Sequence, residues 1–239
     1  MGHIALEVDG ARVAFTDRHG GVSLPPFDTA NLGFATGDDP AAVTENRRRV
    51  ARELGDAPDA QAWAWARQVH GSRVVTVDAP GSGGDADALV TTEPGIGLVV
   101  LAADCAPIAV VAGSAVAAVH CGWRGLLAGV VESAVQRVRE LGAGRVRAVV
   151  GPCISPAHYE FGADALEQVT HRLGPAVGAR TEEGAPALDL RAGVGVALTA
   201  AGVDDRSDVD VCTYGSADHF SHRRDGITGR QALIVTRSP

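Results

Sequence analysis

The sequence predicts an α+β fold, with mixed β-sheet layers flanked by helices in a single compact domain spanning residues 1–239. Three observations carry that expectation. Short β-branched runs broken by Gly, Pro and Asp crowd the middle of the chain, in the manner of a multistranded sheet. Several longer segments show helical periodicity between recognisable caps. No Ser/Gly-rich linker, low-complexity tract or internal repeat divides the chain, and 239 residues lie near the upper limit for one hydrophobic core.

IALEV and RVAFT flank Asp9-Gly10, a strong hairpin dipeptide, so paired strands are expected first. In GDDPAAVTENRRRVARELG, Asp39 is placed to cap, Pro40 suits the first helical position and Gly55 supplies a left-handed exit. A helix over 40–54 follows, with Asn46 and Arg47 in its middle. RVVTV, DALVT, LVVLAA, IAVV and AVAAV then read as strands. The last three lie in the apolar stretch Leu98 to Gly125, which Asp104 and Pro107 interrupt short of the ~18 residues of a membrane span. Beyond Gly125, apolar residues from Leu127 to Leu141 recur with helical spacing and stop at Gly142, predicting one helix packed on the sheet. Further helices are expected at about 163–173 and 189–201, the second capped by Asp189, with strands near VRAVV, DVDVC and ALIVT.

A formal net charge of −8 argues against a nucleic-acid partner, which normally leaves a basic footprint. All 21 Lys/Arg positions are arginine, which excludes a P-loop, kinase-type or Schiff-base lysine. The four cysteines, Cys105, Cys121, Cys153 and Cys212, are too few for a disulfide scaffold and form no CxxC pair, so a reduced cytosol is the natural setting. MGHIALEVDGARVAF has no basic n-region, apolar h-region or cleavage site, and a cytoplasmic protein without a membrane partner is expected.

Three segments place a metal-ligand type after apolar residues and before a backbone breaker: QVHG (His70), ADCAP (Cys105) and AVHCGWRG (His120). Zinc accepts imidazole nitrogen and thiolate sulfur, and a catalytic site keeps three protein ligands with one open position. The spacings, 35 residues and then 15, do not suit a zinc finger but suit ligands gathered from separate strands. Taken singly, each has a plainer reading: a buried thiol behaves as a small hydrophobe, and Gly or Pro also marks ordinary strand ends.

QVHG, DADALVT, ADCAPI, HCGWRG, GPCISPAHYEF, DLR, CTY and FSHRRDGITGR, in this order, resemble the laccase-domain family, also called polyphenol oxidase, purine nucleoside phosphorylase or peptidoglycan editing factor. NLGFATGDDPAAVTENR is similar to the N-terminal motif of that family. The resemblance implies a cytosolic α+β enzyme with zinc held by His70, Cys105 and His120, and copper as an alternative occupant. Cys105, His120 and Arg124 are its candidate catalytic residues, and Asn46, Arg47, Arg223, Arg224 and Arg230 its candidate substrate-binding residues. Permanently charged arginines suit a phosphate substrate, and GWRG leads into a helix whose first amides favour anions. Cys121 stands where the family usually has Ala; strand alternation should turn it away from the His120 face. Cys153 and Cys212 read as packed thiols, and His219 and His222, beside Arg223 and Arg224, as surface or supporting residues. Asp85 and Asp87 are placed to orient a ligand imidazole, with turn formation the simpler reading for Asp85.

Three functions follow. The first is phosphorolysis of adenosine, inosine, guanosine and methylthioadenosine, with adenosine deamination; its partners are a nucleoside and phosphate. The second is a cysteine hydrolase with Cys105 as nucleophile and His120 as base, acting on a cell-wall precursor. The third, a copper-dependent polyphenol oxidase, fits poorly, because the eight histidines include no HxH pair.

Overall fold

The computed structural model describes residues 2–54, 60–203 and 205–237. Asp9 and Gly10, at φ +46° and +78°, turn β1 (His3–Val8) into β2 (Ala11–Thr16), the geometry that suits a two-residue hairpin. Helix α1 (Pro40–Glu53) starts where Asp39 accepts a hydrogen bond from the Ala41 amide at 2.9 Å; the expected Gly55 exit lies outside the described residues. Seven strands follow: β3 (Trp63–Arg67), β4 (Val74–Thr76), β5 (Gly81–Asp85), β6 (Ala88–Thr91), β7 (Gly97–Ala102), β8 (Ala106–Ala112) and β9 (Ala115–Cys121). The chain continues through α2 (Trp123–Ala128), α3 (Val130–Leu141), β10 (Arg147–Val150), α4 (Ala163–Leu173), β11 (Gly178–Arg180) and β12 (Pro186–Leu188). It closes with α5 (Leu190–Ala200), β13 (Asp205–Asp208), α6 (His222–Asp225) and β14 (Gln231–Arg237).

Two six-stranded sheets result, ordered β1-β2-β14-β7-β3-β5 and β13-β10-β8-β9-β6-β4. Period-two alternation sorts their side chains. Val116 and Ala118 of β9 join Leu98 and Val100 of β7 and Val13 and Phe15 of β2 in a core between the sheets. Ala117, Val119 and Cys121 of β9 point the other way, against Val131, Val135 and Val138 of α3 and Val194 of α5. On the outer face of the first sheet, Val99 and Ile234 pack on Val50 and Ala51 of α1. The molecule is thus a helix–sheet–sheet–helix sandwich, the α+β class expected. Among the described residues, no helix is long and apolar enough to cross a membrane.

Two expectations are corrected. The single helix after Gly125 is two: Gly129 adopts φ +86°, ending α2 and starting α3. The apolar period survives the break because both helices lie on the same sheet face. The strand expected at DVDVC runs earlier, over Asp205–Asp208, in parallel with β10. Arg147 bridges Asp9 and Asp205 there, each at 3.1 Å, and of DVDVC past Asp208 only Cys212 makes a bridge, to Cys153. Strands β3 and β5 carried no β-branched signal; WAWAR alternates Trp with Ala, and GSGGD is glycine-rich.

Candidate metal centre

Three connections carry the chain from the first sheet to the second: β3 to β4, β5 to β6 and β7 to β8. Each supplies one member of a single cluster: His70, Asp87 and Cys105 respectively. His120, next to last in β9, completes it. Pro107 of β8 pairs with His120, so continuing the antiparallel register sets Cys105 opposite Gly122.

Ligand atoms of His70, Cys105 and His120 lie within 4.8 Å of one another, and the two imidazoles meet edge to face with centroids 4.8 Å apart. His120 is buried, Cys105 half-buried and His70 exposed, so the cluster opens to solvent on the His70 side. A side chain at Gly122 would close this space: its Cβ would stand 2.7 Å from His70 Nδ1 and 3.0 Å from Cys105 Sγ. Soft sulfur, two imidazoles and an open side match a three-ligand zinc site, and the same donors would accept copper.

Asp87, fully buried, organises the cluster. It accepts hydrogen bonds from the amides of Val69 (3.2 Å), His70 (3.0 Å) and Gly71 (2.7 Å), and from His120 Nδ1 at 2.9 Å. That last bond fixes the His120 tautomer and leaves Nε2 for a ligand. Burial alone would raise the Asp87 carboxyl, but the His120 ring and the Gly71 and Val69 amides hold it below its usual range. Burial likewise opposes charge on His120; Cys105 and Asp87 outweigh it and hold the ring up to about 9. His70 moves down, mainly through burial and then through the neighbouring His120, which favours the neutral ring a metal requires. Asp85 instead pairs with Arg67 at the surface.

Backbone at the cluster is held in an unusual state. His70 has φ +57° and Asp104 φ +91°, a region few non-glycine residues occupy unless their surroundings hold them there. The Asp87 bonds secure the first. Thr213 Oγ1 (2.6 Å) and the Arg223 amide (2.7 Å) donate to the Asp104 carboxylate and secure the second, tying Cys105 to the 213–223 segment. Cys121 packs on the helix side, fully buried, and burial pushes its thiol far up.

A cavity of about 420 Å³ opens at the cluster; His70, Cys105, His120, Arg230, Gln68 and Thr36 are among its lining residues. Arg230 reaches it while bonding the Thr228 and Gly229 carbonyls at 2.9 and 2.8 Å. Arg124 is exposed beside the cluster, 4.4 Å above the Trp123 ring, and α2 beneath it has only six residues. Arg223 stacks 4.9 Å over Tyr159 and donates to the Glu160 carbonyl. The other candidates are not among the lining residues. Arg47 is buried, donates twice to the Leu32 carbonyl and stacks on Phe34 at 4.5 Å. Asn46 binds the Val22 amide, Ser23 and the Asn31 carbonyl. Arg224 gathers the carbonyls of Thr213, Tyr214, Ser216 and His219.

The two histidines read as surface or supporting residues differ in exposure: His219 is buried and His222 is exposed. His219 is 7% exposed, with Nδ1 2.9 Å from Ser216 Oγ, and His222 lines the cavity. Of the arginines that follow them, Arg224 turns to backbone carbonyls and Arg223 to the Tyr159 ring. Cys153 is fully buried, with its thiol raised to about 11 by burial, whereas Cys212 is only half-buried and accepts from the Ser155 amide at 3.3 Å. In sequence Asp104 adjoins Cys105, and Gly122 lies two residues past His120.

Residues 12–238 match the family described as multi-copper polyphenol oxidoreductase laccase. A curated relative named purine nucleoside phosphorylase, from Streptomyces coelicolor, is 48% identical over 238 residues, 95% of this chain and 96% of its own length. Another of that name, from Escherichia coli, is 37% identical over 95% of this chain and 93% of its own. YlmD from Geobacillus stearothermophilus has a solved structure that superposes with a TM-score of 0.86 at 33% identity, covering 96% of this chain and 93% of its own. The Bacillus licheniformis protein YfiH gives 0.88 at 29% identity, with 95% and 92% covered.

Proposed function

The chain belongs to the multi-copper polyphenol oxidoreductase laccase family, and from that premise we propose that it is a zinc-dependent purine nucleoside phosphorylase that also deaminates adenosine. Its substrates in this reading are adenosine, inosine, guanosine and methylthioadenosine, with inorganic phosphate as co-substrate. The observation that carries the reading is the His70–Cys105–His120 set on the wall of a cavity that also presents Arg230, in a chain whose curated relatives bear the phosphorylase name. Bound zinc would supply Lewis acidity at that wall. His70, Cys105 and His120 hold it, Asp87 orients His120 through Nδ1, and the permanent charges of Arg230 and Arg124 attract phosphate.

Adenosine incubated with and without phosphate, with base, sugar phosphate and inosine resolved by chromatography, tests this. Adenine and ribose 1-phosphate should form only with phosphate, and some inosine should form in water. Adenine release that ignores phosphate would make the protein a hydrolase, and inosine alone a deaminase.

One observation favours a second reading. Cys105, His120 and Asp87 are linked in series, sulfur to ring to carboxylate, as a cysteine hydrolase acting on a cell-wall precursor would need. Elemental analysis of protein purified without added metal separates the two. Stoichiometric zinc supports the phosphorylase, copper the oxidase its family is titled for, and a metal-free active enzyme the hydrolase.

A further inference from the structure

A purine leaving a ribose carries away the electron pair of the broken glycosidic bond, so a good leaving group needs a proton on the base. Few residues on the cavity wall can give one. Among the described lining residues there is no carboxylate. Gln68 is committed on both sides, donating to the Leu101 carbonyl at 2.7 Å and accepting from its amide at 2.8 Å. The Thr36 hydroxyl donates to the Gly33 carbonyl at 2.9 Å. Arg67 is paired with Asp85, and Arg230 is a permanent cation that does not release its proton. With His70, Cys105 and His120 assigned to the metal, His222 is the remaining side chain among the described lining residues whose chemistry allows it both to give up and to take back a proton.

Its geometry suits that task. His222 opens the short helix α6, where Ser221 accepts from the Arg224 amide, and its Nδ1 lies 2.7 Å from the Gly226 carbonyl. A carbonyl only accepts, so Nδ1 carries hydrogen in either protonation state and Nε2 is the exchanging nitrogen. The ring is exposed as well as lining the cavity, so Nε2 can be recharged from solvent.

We propose that His222 is the general acid that protonates the departing purine, an assignment that rests on the phosphorylase reading. A phosphate oxygen bonds to C1′ as the C1′–N9 bond breaks. The electron pair of that bond enters the purine ring, and the proton on His222 Nε2 passes to N7. Neutral base and ribose 1-phosphate leave, and the neutral imidazole takes a proton back from water.

The test compares inosine with 7-methylguanosine, whose N7 already bears a methyl group and a positive charge and needs no proton to leave. His222→Ala and His222→Gln variants, with zinc content and melting temperature measured beside the wild type, should lose roughly 100-fold in kcat on inosine and keep most of it on 7-methylguanosine. Equal losses on both nucleosides would overturn the assignment and reduce His222 to a wall of the cavity. Undiminished turnover of inosine would overturn it too, with solvent as the acid. A wild type inert toward both would instead sink the phosphorylase reading, and this assignment with it.

Discussion

An asparagine at position 87 would keep the shape of the aspartate and lose an acceptor, yet four donors converge there: three successive backbone amides and the His120 ring. Its amide group would face N–H with N–H, so Asp87→Asn should weaken zinc binding by about 10- to 100-fold. Competition with a chromophoric chelator reads this directly; unchanged affinity would mean that His120 orients itself. The next two residues after His120 should behave oppositely. Cys121→Ala keeps metal and activity, because that side chain faces the α3 side of the sheet. Gly122→Ala should abolish stoichiometric zinc, since the new methyl group occupies the space between His70 and Cys105. Retained zinc in the second variant, or lost zinc in the first, would show the strand register at the site to be misread. At this scale the ligands were legible because each sits where an apolar run meets a breaker. Asp104 was not, because its work is done through Thr213 and the Arg223 amide, more than a hundred residues away in sequence.

Elements were legible where hydrophobic period and capping agreed, as in α1 with Asp39 and α5 with Asp189, whose carboxylate accepts from the Ala192 amide at 2.8 Å. They were obscured where neighbours share one buried face. Leu126 of α2 and Val130 and Val131 of α3 pack in the same cluster, so hydrophobicity runs straight through a break that only the backbone reveals. Gly129 is the device that permits it, and an L-residue in that left-handed state costs about 1–2 kcal/mol. Gly129→Ala should lower the unfolding free energy by that amount in urea titrations, with zinc content intact. No loss would mean that the two helices can fuse after all. Strand β13 escaped notice for a different reason: DRSD is polar throughout, and it pairs with β10 at the sheet edge, helped by the Arg147 ion pairs.

Across the whole molecule, fold class followed from pattern, but which sheet each strand joined did not, because the two sheets alternate along the chain from β3 to β8. Periodicity reports which face of a strand is buried and says nothing about its neighbours. Metal should therefore stabilise the sandwich as a unit. Zinc at 100 times its Kd should add about 2.7 kcal/mol to unfolding, so a strong chelator should lower the thermal midpoint, and Cys121→Ala should respond to the chelator as the wild type does.

Because His70, Asp87 and Cys105 each ride on a separate passage between sheets, no local stretch of chain can assemble the site early. A nascent chain emerging from the ribosome passes Cys105 and His120 long before β14 closes the first sheet between β2 and β7. If the site holds zinc as proposed, its capture would work as a completion signal: in refolding experiments, metal uptake should rise in step with the last phase of tryptophan burial, and a truncated chain lacking β14 should bind none tightly.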